Sequence, residues 1–579
     1  MNILVKDIRF FDGSKEKSSI QDVWIENGKI AGVGKFQKPE IDHTIIDGTG
    51  KWMTPGFIDT HTHYDAEVLL APALYESTRH GVTTVILGCC SISMVYGEPE
   101  DCADIFTRVE AVPRDIVLPL LERIKTWKNP TAYKNYLKTL NLGPNVSAFI
   151  GHSDIRIATL GLEKAVDKHY VPSRPELGLM KSKLKESMDA GFLGLSMMTT
   201  RWDKLDGKRF RSRSLPSTYA RLKEFRALNS VLRERGRVLQ GAPDIVTKYN
   251  MFFFLWESVG LFRKKLKTTL ITLADCKANP YLWRFVLLVT AIFNRLLKAD
   301  FKWQALPCKF QVFADGMDLV VFEEFGAGEE ALHLEKLDER RKLLRANDYR
   351  ERFRKDYDKK FSPRVWHRDF GDALILNCPE KDFIGKSFGE IALMRNVHPV
   401  EAFLDAAADF GKELRWTTVI ANHRKNILEK LISSPDSIPS FSDAGAHLRS
   451  MAFYNFPLQF LKLVNDAQKE GRSFMTLEEA VNKLTGDLGN WFNLDAGHLK
   501  IGDRADFVIL NPDLLDERVL AIEEAAFPEM GDMQRLVNRN AGLVEHVFIN
   551  GKPAYQHENF NPEFGHAKGY GTFLEAIPR

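Results

Sequence analysis

The chain has 579 residues, with 80 basic and 77 acidic side chains and a formal net charge of +3. Charges so nearly balanced imply no global attraction to nucleic acid or to an anionic membrane. The length is too great for one simple core and suggests several domains, or one large barrel with attachments.

The start, Met1-Asn2-Ile3-Leu4-Val5-Lys6-Asp7, reads as a strand and lacks the basic-then-apolar order of a secretion signal. The six cysteines (Cys89, Cys90, Cys102, Cys276, Cys308 and Cys378) are sparse and irregularly spaced, which suits reduced thiols and a cytoplasmic location. Residues 1 to 56 alternate short β-prone runs with turns at Asp12-Gly13, Asn27-Gly28 and Asp47-Gly48. The C-terminal stretch has the same character, with β-prone runs at 505–510 and 544–549 and a hairpin signal at Asn550-Gly551. Two half-sets of strands at opposite ends of a chain are expected to join in one small β-domain.

Between them, apolar β-prone runs alternate with helical patterns, which predicts βα units and a parallel sheet. The expected strands are 57–63, 82–89, 146–151, 192–197, 237–242, 268–275, about 309–314 and 438–443. Eight is the number a (β/α)₈ barrel needs, and such barrels carry their chemistry at the C-terminal strand ends. Two segments exceed a minimal barrel. Residues 249–300 hold the apolar runs 249–256 and 281–297, the second interrupted by Arg284 and Arg295. Neither reaches the ~18 uncharged residues of a spanning helix. The plainer and preferred reading is outer barrel helices with one broad buried face. The alternative is a greasy lid or membrane-surface helix serving a lipophilic substrate. Residues 335–362 are dominated by charge and read as a solvated helical insertion.

The most informative stretch is Pro55-Gly56-Phe57-Ile58-Asp59-Thr60-His61-Thr62-His63-Tyr64-Asp65. Residues two apart on a strand point the same way, so His61 and His63 present both imidazoles to one side. Two such rings on a rigid edge can bind one metal ion through nitrogen, which suits zinc. This string resembles the first barrel strand of the amidohydrolase superfamily, and Lys500 to Val508 resembles the strand that closes that superfamily's small sandwich. Gly81-Val82-Thr83-Thr84-Val85 and Gly88-Cys89-Cys90-Ser91-Ile92-Ser93 are similar to the second strand and exit loop of its D-aminoacylase branch, the N-acyl-D-amino-acid deacylases.

The resemblance implies an α/β fold: a (β/α)₈ TIM barrel over 57–498 and a β-sandwich built from 1–56 and 499–579. It implies that Cys90 is a metal ligand in place of a carbamylated lysine. A thiolate suits zinc and neutralises part of its charge. Cys89, where the branch has asparagine, reads as a buried small hydrophobe. Asp443, in Ser440-Phe441-Ser442-Asp443-Ala444-Gly445-Ala446-His447, matches the superfamily's carboxylate, expected to ligate metal and to act as general base and then general acid. His152, in the segment Gly151-His152-Ser153-Asp154-Ile155-Arg156, is expected to shape the pocket, and His447 to contact substrate.

The chain also departs from the branch, which has histidines ending strands five and six. Here Gln240 stands near the first place, and Leu273-Ala274-Asp275-Cys276-Lys277 covers the second. One tight zinc ion is therefore expected rather than two, held by His61, His63, Cys90 and Asp443, with Asp275 or Cys276 as alternative ligands. Lys277 and, more loosely, Arg449 match the branch's carboxylate-binding residues, which implies an acidic group on the substrate.

The leading expectation is metal-assisted hydrolysis of a non-peptide amide bond, in an N-acyl amino acid or related N-acyl amine with a bulky apolar acyl or aryl group. A cyclic amide or lactone hydrolase is the second reading and a catalytically inactive scaffold the third. The expected partner is a small molecule, with no nucleic acid and no membrane span. A homo-oligomer is left open.

Overall fold

The computed structural model describes residues 2–36, 42–244, 249–324, 326–334, 336–359 and 364–578. Both chain ends enter one nine-stranded sheet. Strand Phe507–Leu510 lies antiparallel between Trp52–Pro55 and Val544–Ile549, so the late strand is stitched directly to the early one. The turns follow their sequence signals. Asn27-Gly28 and Asn550-Gly551 both have positive φ at each residue, the conformation that matches the twist of a two-residue hairpin. Alternation puts Ile3, Val5, Val23, Ile25, Phe507, Ile509 and Phe548 into one core.

Parallel strands fill the middle of the chain. Phe57–Asp59, Val82–Leu87 and Asn145–Ala148 pair in that order. Ile150–Gly151, Gly194–Met198, Val238–Ala242, Lys267–Leu270, Asp300–Gln304 and Ser437–Ile438 follow, all parallel. Only Phe149 separates Asn145–Ala148 from Ile150–Gly151, so the two sets are continuous. At the far end Asp443 N–H donates to His61 O (3.1 Å) and His63 N–H to Ala444 O (2.8 Å), joining the last run to the first. Ile58, Ile86, Phe149, Leu193, Val238 and Ile438 form a shared buried cluster with Trp491, Phe492 and Leu574. Cys89 belongs to this cluster, as a small hydrophobe.

Outer helices cover the sheet by ordinary amphipathic means. Arg174–Asp189 starts at a capping box of Ser173 and Glu176, and buries Met180, Leu184 and Met188 at i, i+4 and i+8.

One expected strand is corrected. Residues 309–314 do not join the parallel set; Phe310–Asp315 pairs antiparallel with Arg415–Ala421. The parallel place belongs to Asp300–Gln304. Its Phe301 and Trp303 are buried, with the Trp303 indole donating to Thr290 on an outer helix, while Lys302 reaches Asp487 and Gln304 reaches His61. Alternation with polar groups at every second position hides this strand from a search for apolar runs.

Phe310–Asp315 belongs to an inserted unit, which has its own core around Phe322, Trp366, Phe370, Phe388, Phe403 and Trp416. The charged segment 335–362 lies in this unit, residues 335 and 360–362 being outside the described residues. Its helices Leu337–Arg345 and Asn347–Asp358 are not merely solvated: Leu344, Tyr349 and Phe353 are buried in that core.

Candidate metal centre

His61 and His63 stand just past the end of Phe57–Asp59. Between them Thr62 turns the other way, its hydroxyl donating to Ile86 O (2.7 Å), so alternation aims both imidazoles at one point. Asp59 laces this run to the last one: one carboxylate oxygen accepts the His61 N–H and the other the Ser442 hydroxyl.

Cys90 follows Val82–Leu87 through Gly88. Cys90 and Ser91 both adopt left-handed backbone, φ +51° and +69°, a conformation that costs on the order of 1–3 kcal/mol for a non-glycine residue. The turn is held by inward side chains: Cys90 N–H donates to Gln240 Oε1 (2.9 Å) and Ser91 N–H to Ser196 Oγ (3.0 Å). Asp443 is also left-handed, φ +59°. Its loop can approach His63 because residue 445 is glycine; a Cβ there would lie 2.6 Å from His63 O.

The potential ligand atoms of His61, His63 and Cys90 all lie within 4.8 Å of one another. Cys90 Sγ is 3.3 Å from His61 Nε2. Asp443 Oδ1 is 3.1 Å from His63 Nε2 and 3.7 Å from His61 Nε2. Two ligands at zinc bond lengths and a tetrahedral angle are about 3.3–3.8 Å apart, so the donor set fits one such ion. Each imidazole also has a partner for its outer nitrogen. His61 Nδ1 is 2.5 Å from Gln304 Oε1, and His63 Nδ1 is 3.0 Å from the buried Glu110 carboxylate. Both arrangements favour a proton on Nδ1 and turn Nε2 toward the centre.

The electrostatics agree. Burial pushes the His61 imidazolium down to about 4 and the Cys90 thiol up to about 12. Burial acts on His63 in the same downward sense, but Glu110 and Asp443 more than reverse it and hold His63 well above its usual value. For Asp443 the burial effect is overcome by His63 and His61, which hold it below the usual carboxylate range. Burial and mutual charge thus favour an imidazolium at His63 facing an ionised Asp443, beside a thiol that burial keeps protonated. A divalent cation could replace those protons.

Other expected residues lie elsewhere. Asp275 and Cys276 do not substitute for the missing histidines. Both Asp275 oxygens are taken by Arg424, and Cys276 forms a β-bridge with Ala421 of the inserted unit. Segment 275–277 is thus bound to 420–422 instead of turning inward. Lys277 donates to Asp372 Oδ1 (2.8 Å). Arg449 makes a two-pronged contact with Asp315 and a third with Glu524. In this structure both cations are thus paired with acids of the chain. His152 is buried between Ser217 (3.0 Å) and Glu224 (2.8 Å), a structural brace rather than a surface of the centre. His447 is half-buried and donates its backbone N–H to Glu110 O.

Two residues that back the site have no motif, Glu110 and Gln304, and a further acid, Asp203, feels its charges. Glu110 follows a helix with no recognisable pattern, and Gln304 ends the strand hidden by its polar alternation. Asp203, half-buried in the loop after Gly194–Met198, is pushed up to about 7 by burial and by the Glu110 charge, and it also feels His63 and Asp443. A second cluster of potential ligands, Glu323, Glu329 and His333, already holds two cations, Arg108 on Glu323 (2.9 Å) and Lys204 on Glu329 (2.8 Å).

No family model matches the chain. Uncharacterized proteins of Mycobacterium tuberculosis and Mycobacterium bovis are 47% identical to it over 99% of this chain and 95% of their own. An N-acyl-D-glutamate deacylase of Alcaligenes xylosoxydans xylosoxydans is 31% identical over 175 residues, 30% of this chain and 32% of that protein. Among solved structures, N-acyl-D-glutamate deacylase from Bordetella bronchiseptica, complexed with zinc and a phosphonate inhibitor, superposes with a TM-score of 0.62 at 18% identity, covering 99% of both chains. The chain belongs to one family with the mycobacterial proteins, and its further similarity is to the D-aminoacylase branch of the amidohydrolase superfamily.

Proposed function

We propose that the protein is a metal-dependent hydrolase of a non-peptide C–N amide bond, acting on an N-acyl amino acid or related N-acyl amine. The observation that carries this reading is the convergence of two imidazoles and a thiol in one buried cluster, with the half-buried Asp443 carboxylate 3.1 Å from His63 Nε2 and each imidazole backed by an acceptor. The parallel strands are read as one (β/α)₈ barrel, with the centre at its C-terminal strand ends and the nine-stranded sheet as the attached β-domain.

In this reading His61, His63 and Cys90 hold one zinc ion, with Asp443 beside it. A bound divalent ion supplies a lowered water pKa and a polarised acyl oxygen. The residues of the chain do the remainder. Asp443, a carboxylate kept ionised at neutral pH, takes the proton of the attacking water and returns it to the leaving nitrogen. Glu110 and Gln304 keep the imidazoles in the tautomer that presents Nε2. Burial excludes bulk water from the donor set. Because Lys277 and Arg449 are committed to Asp372, Asp315 and Glu524, an acidic leaving group has no assigned cation, so neutral N-acyl amines stand beside N-acyl amino acids as substrates. The described cysteines are all free thiols, which suits the cytoplasmic location expected.

The test is turnover of zinc-loaded protein on N-acyl amino acids, N-acyl amines, cyclic imides and lactones. Cleavage of open-chain amides supports the reading; exclusive ring opening transfers it to the cyclic-amide class. No turnover of any of them, in protein that holds its metal, favours the inactive scaffold, to which Gln240 in place of histidine already points.

A further inference from the structure

Helices Tyr249–Ser258 and Leu282–Leu296 follow two neighbouring parallel strands on the outside of the molecule. Helix Leu282–Leu296 is fixed from beneath by buried Trp283 and by Thr290, which accepts the Trp303 indole. Its other face carries Tyr281, Phe285, Leu288, Ile292 and Leu296, spaced by four, three, four and four residues, and all are exposed. That is one stripe of a helix, about 22 Å long at 1.5 Å per residue. One face of this helix packs, with Trp283, Val286, Leu287, Val289 and Phe293 against the core, while a second apolar face is exposed.

The stripe is not isolated. The Phe252 and Phe285 rings meet edge to face with centroids 6.4 Å apart, joining the two helices at the surface. Leu261 and Phe262 are exposed in the loop after the first helix, where Gly260 N–H donates to Leu297 O at the end of the second, and Phe262 is 96% exposed. All five exposed aromatic side chains among the described residues fall between 252 and 285. Scattered exposed apolar residues need no explanation, but a contiguous aromatic-rich face does.

Charge identifies the occupant. Between 249 and 299 the exposed charged side chains are Arg263, Lys264, Lys265, Arg284, Arg295 and Lys298, all basic. The only acids of that span, Glu257 and Asp275, are buried. A second copy docked by a two-fold axis would set this patch against itself and bring like charges together. An apolar, aromatic stripe flanked by cations instead matches a bilayer with anionic headgroups, where rings and aliphatic chains enter the interface and cations meet phosphate. No helix among the described residues is long and apolar enough to cross a membrane, so the contact would be peripheral. We propose that this helix pair, with the Leu261–Lys265 loop, docks the protein on the surface of an anionic lipid bilayer.

The experiment is flotation of the full-length protein with vesicles of phosphatidylcholine, or of phosphatidylcholine and phosphatidylglycerol. Wild type should partition to the phosphatidylglycerol vesicles, weakening as salt is raised. Phe262→Ser combined with Leu288→Ser should lower the partition coefficient roughly tenfold or more. Lys264→Glu with Lys265→Glu should lower it roughly tenfold on anionic vesicles alone. Both pairs are at exposed positions, and an unchanged thermal transition shows that the fold is kept. Failure of wild type to float with anionic vesicles at low salt, or flotation unchanged by both pairs, overturns the proposal. Self-association of wild type that disappears with the Phe262 and Leu288 substitutions assigns the face to a second copy, and overturns it equally.

Discussion

The two sides of the candidate centre are built from different chemistry. The wall from the first, second and last parallel runs supplies His61, His63, Cys90 and Asp443, all groups that can ligate a cation. The facing wall, from the runs Val238–Ala242 and Asp300–Gln304, supplies Gln240 and Gln304. Their oxygens accept from the Cys90 backbone and face the His61 ring, while both Nε2 atoms are buried without a partner. Amides in these places orient the ligands and add no charge. The contrast fits the single metal position proposed above, with ligands from one wall and the other holding them in place.

Removing a ligand should have the largest effect. Cys90→Ala should abolish both metal binding and hydrolysis, because of the three proposed holders only the two imidazoles remain, one fewer than the three protein ligands a catalytic zinc usually keeps. Asp443→Asn should separate the two properties, leaving most of the metal but slowing hydrolysis by roughly 10²–10⁴-fold. If Asp443→Asn turns over normally, the proton belongs to another group, and Asp203 is the first alternative. Gln304→Leu tests the facing wall. It should weaken metal affinity by roughly 10–100-fold through loss of the His61 Nδ1 partner, as read by competition with a chelator. An effect as large as that of Cys90→Ala would make Gln304 more than an orienting group.

The smallest effects should come from residues outside both walls. Asp275→Ala should leave metal content unchanged while costing about 1–3 kcal/mol of stability through the unpaired Arg424 guanidinium, seen as a lower thermal transition. Lys277→Met should leave KM for an N-acyl amino acid unchanged. A tenfold rise would return Lys277 to the substrate, and would require its pair with Asp372 to open.

The sequence was most legible where function and backbone pattern coincide. His61 and His63 sit two apart on an extended run, so one rule of alternation places both, and the strings around Cys90 and Asp443 are contiguous and specific. Both hairpin turns with asparagine-glycine also follow directly from local chemistry. Legibility failed where packing at a distance decides. Glu110 reaches His63 from a loop with no motif, and inward polar groups break the apolar run of Asp300–Gln304. Residues 309–314 looked like the better strand for the opposite reason: their apolar side chains serve the inserted unit's own core. Lys277 and Arg449 kept the right residue type near the right place, but the inserted unit and its neighbours supplied acids that engage them. The apolar run 281–297 showed its period in sequence, yet only the structure separates the face that packs from the face that does not.

The central claim is that one wall supplies the ligands of a single ion. Zinc per chain, measured on protein purified without added metal and again after loading and gel filtration, tests it most directly. The account predicts about one tightly held ion in wild type and none in Cys90→Ala. Two retained ions in wild type, or an undiminished ion in Cys90→Ala, would contradict it.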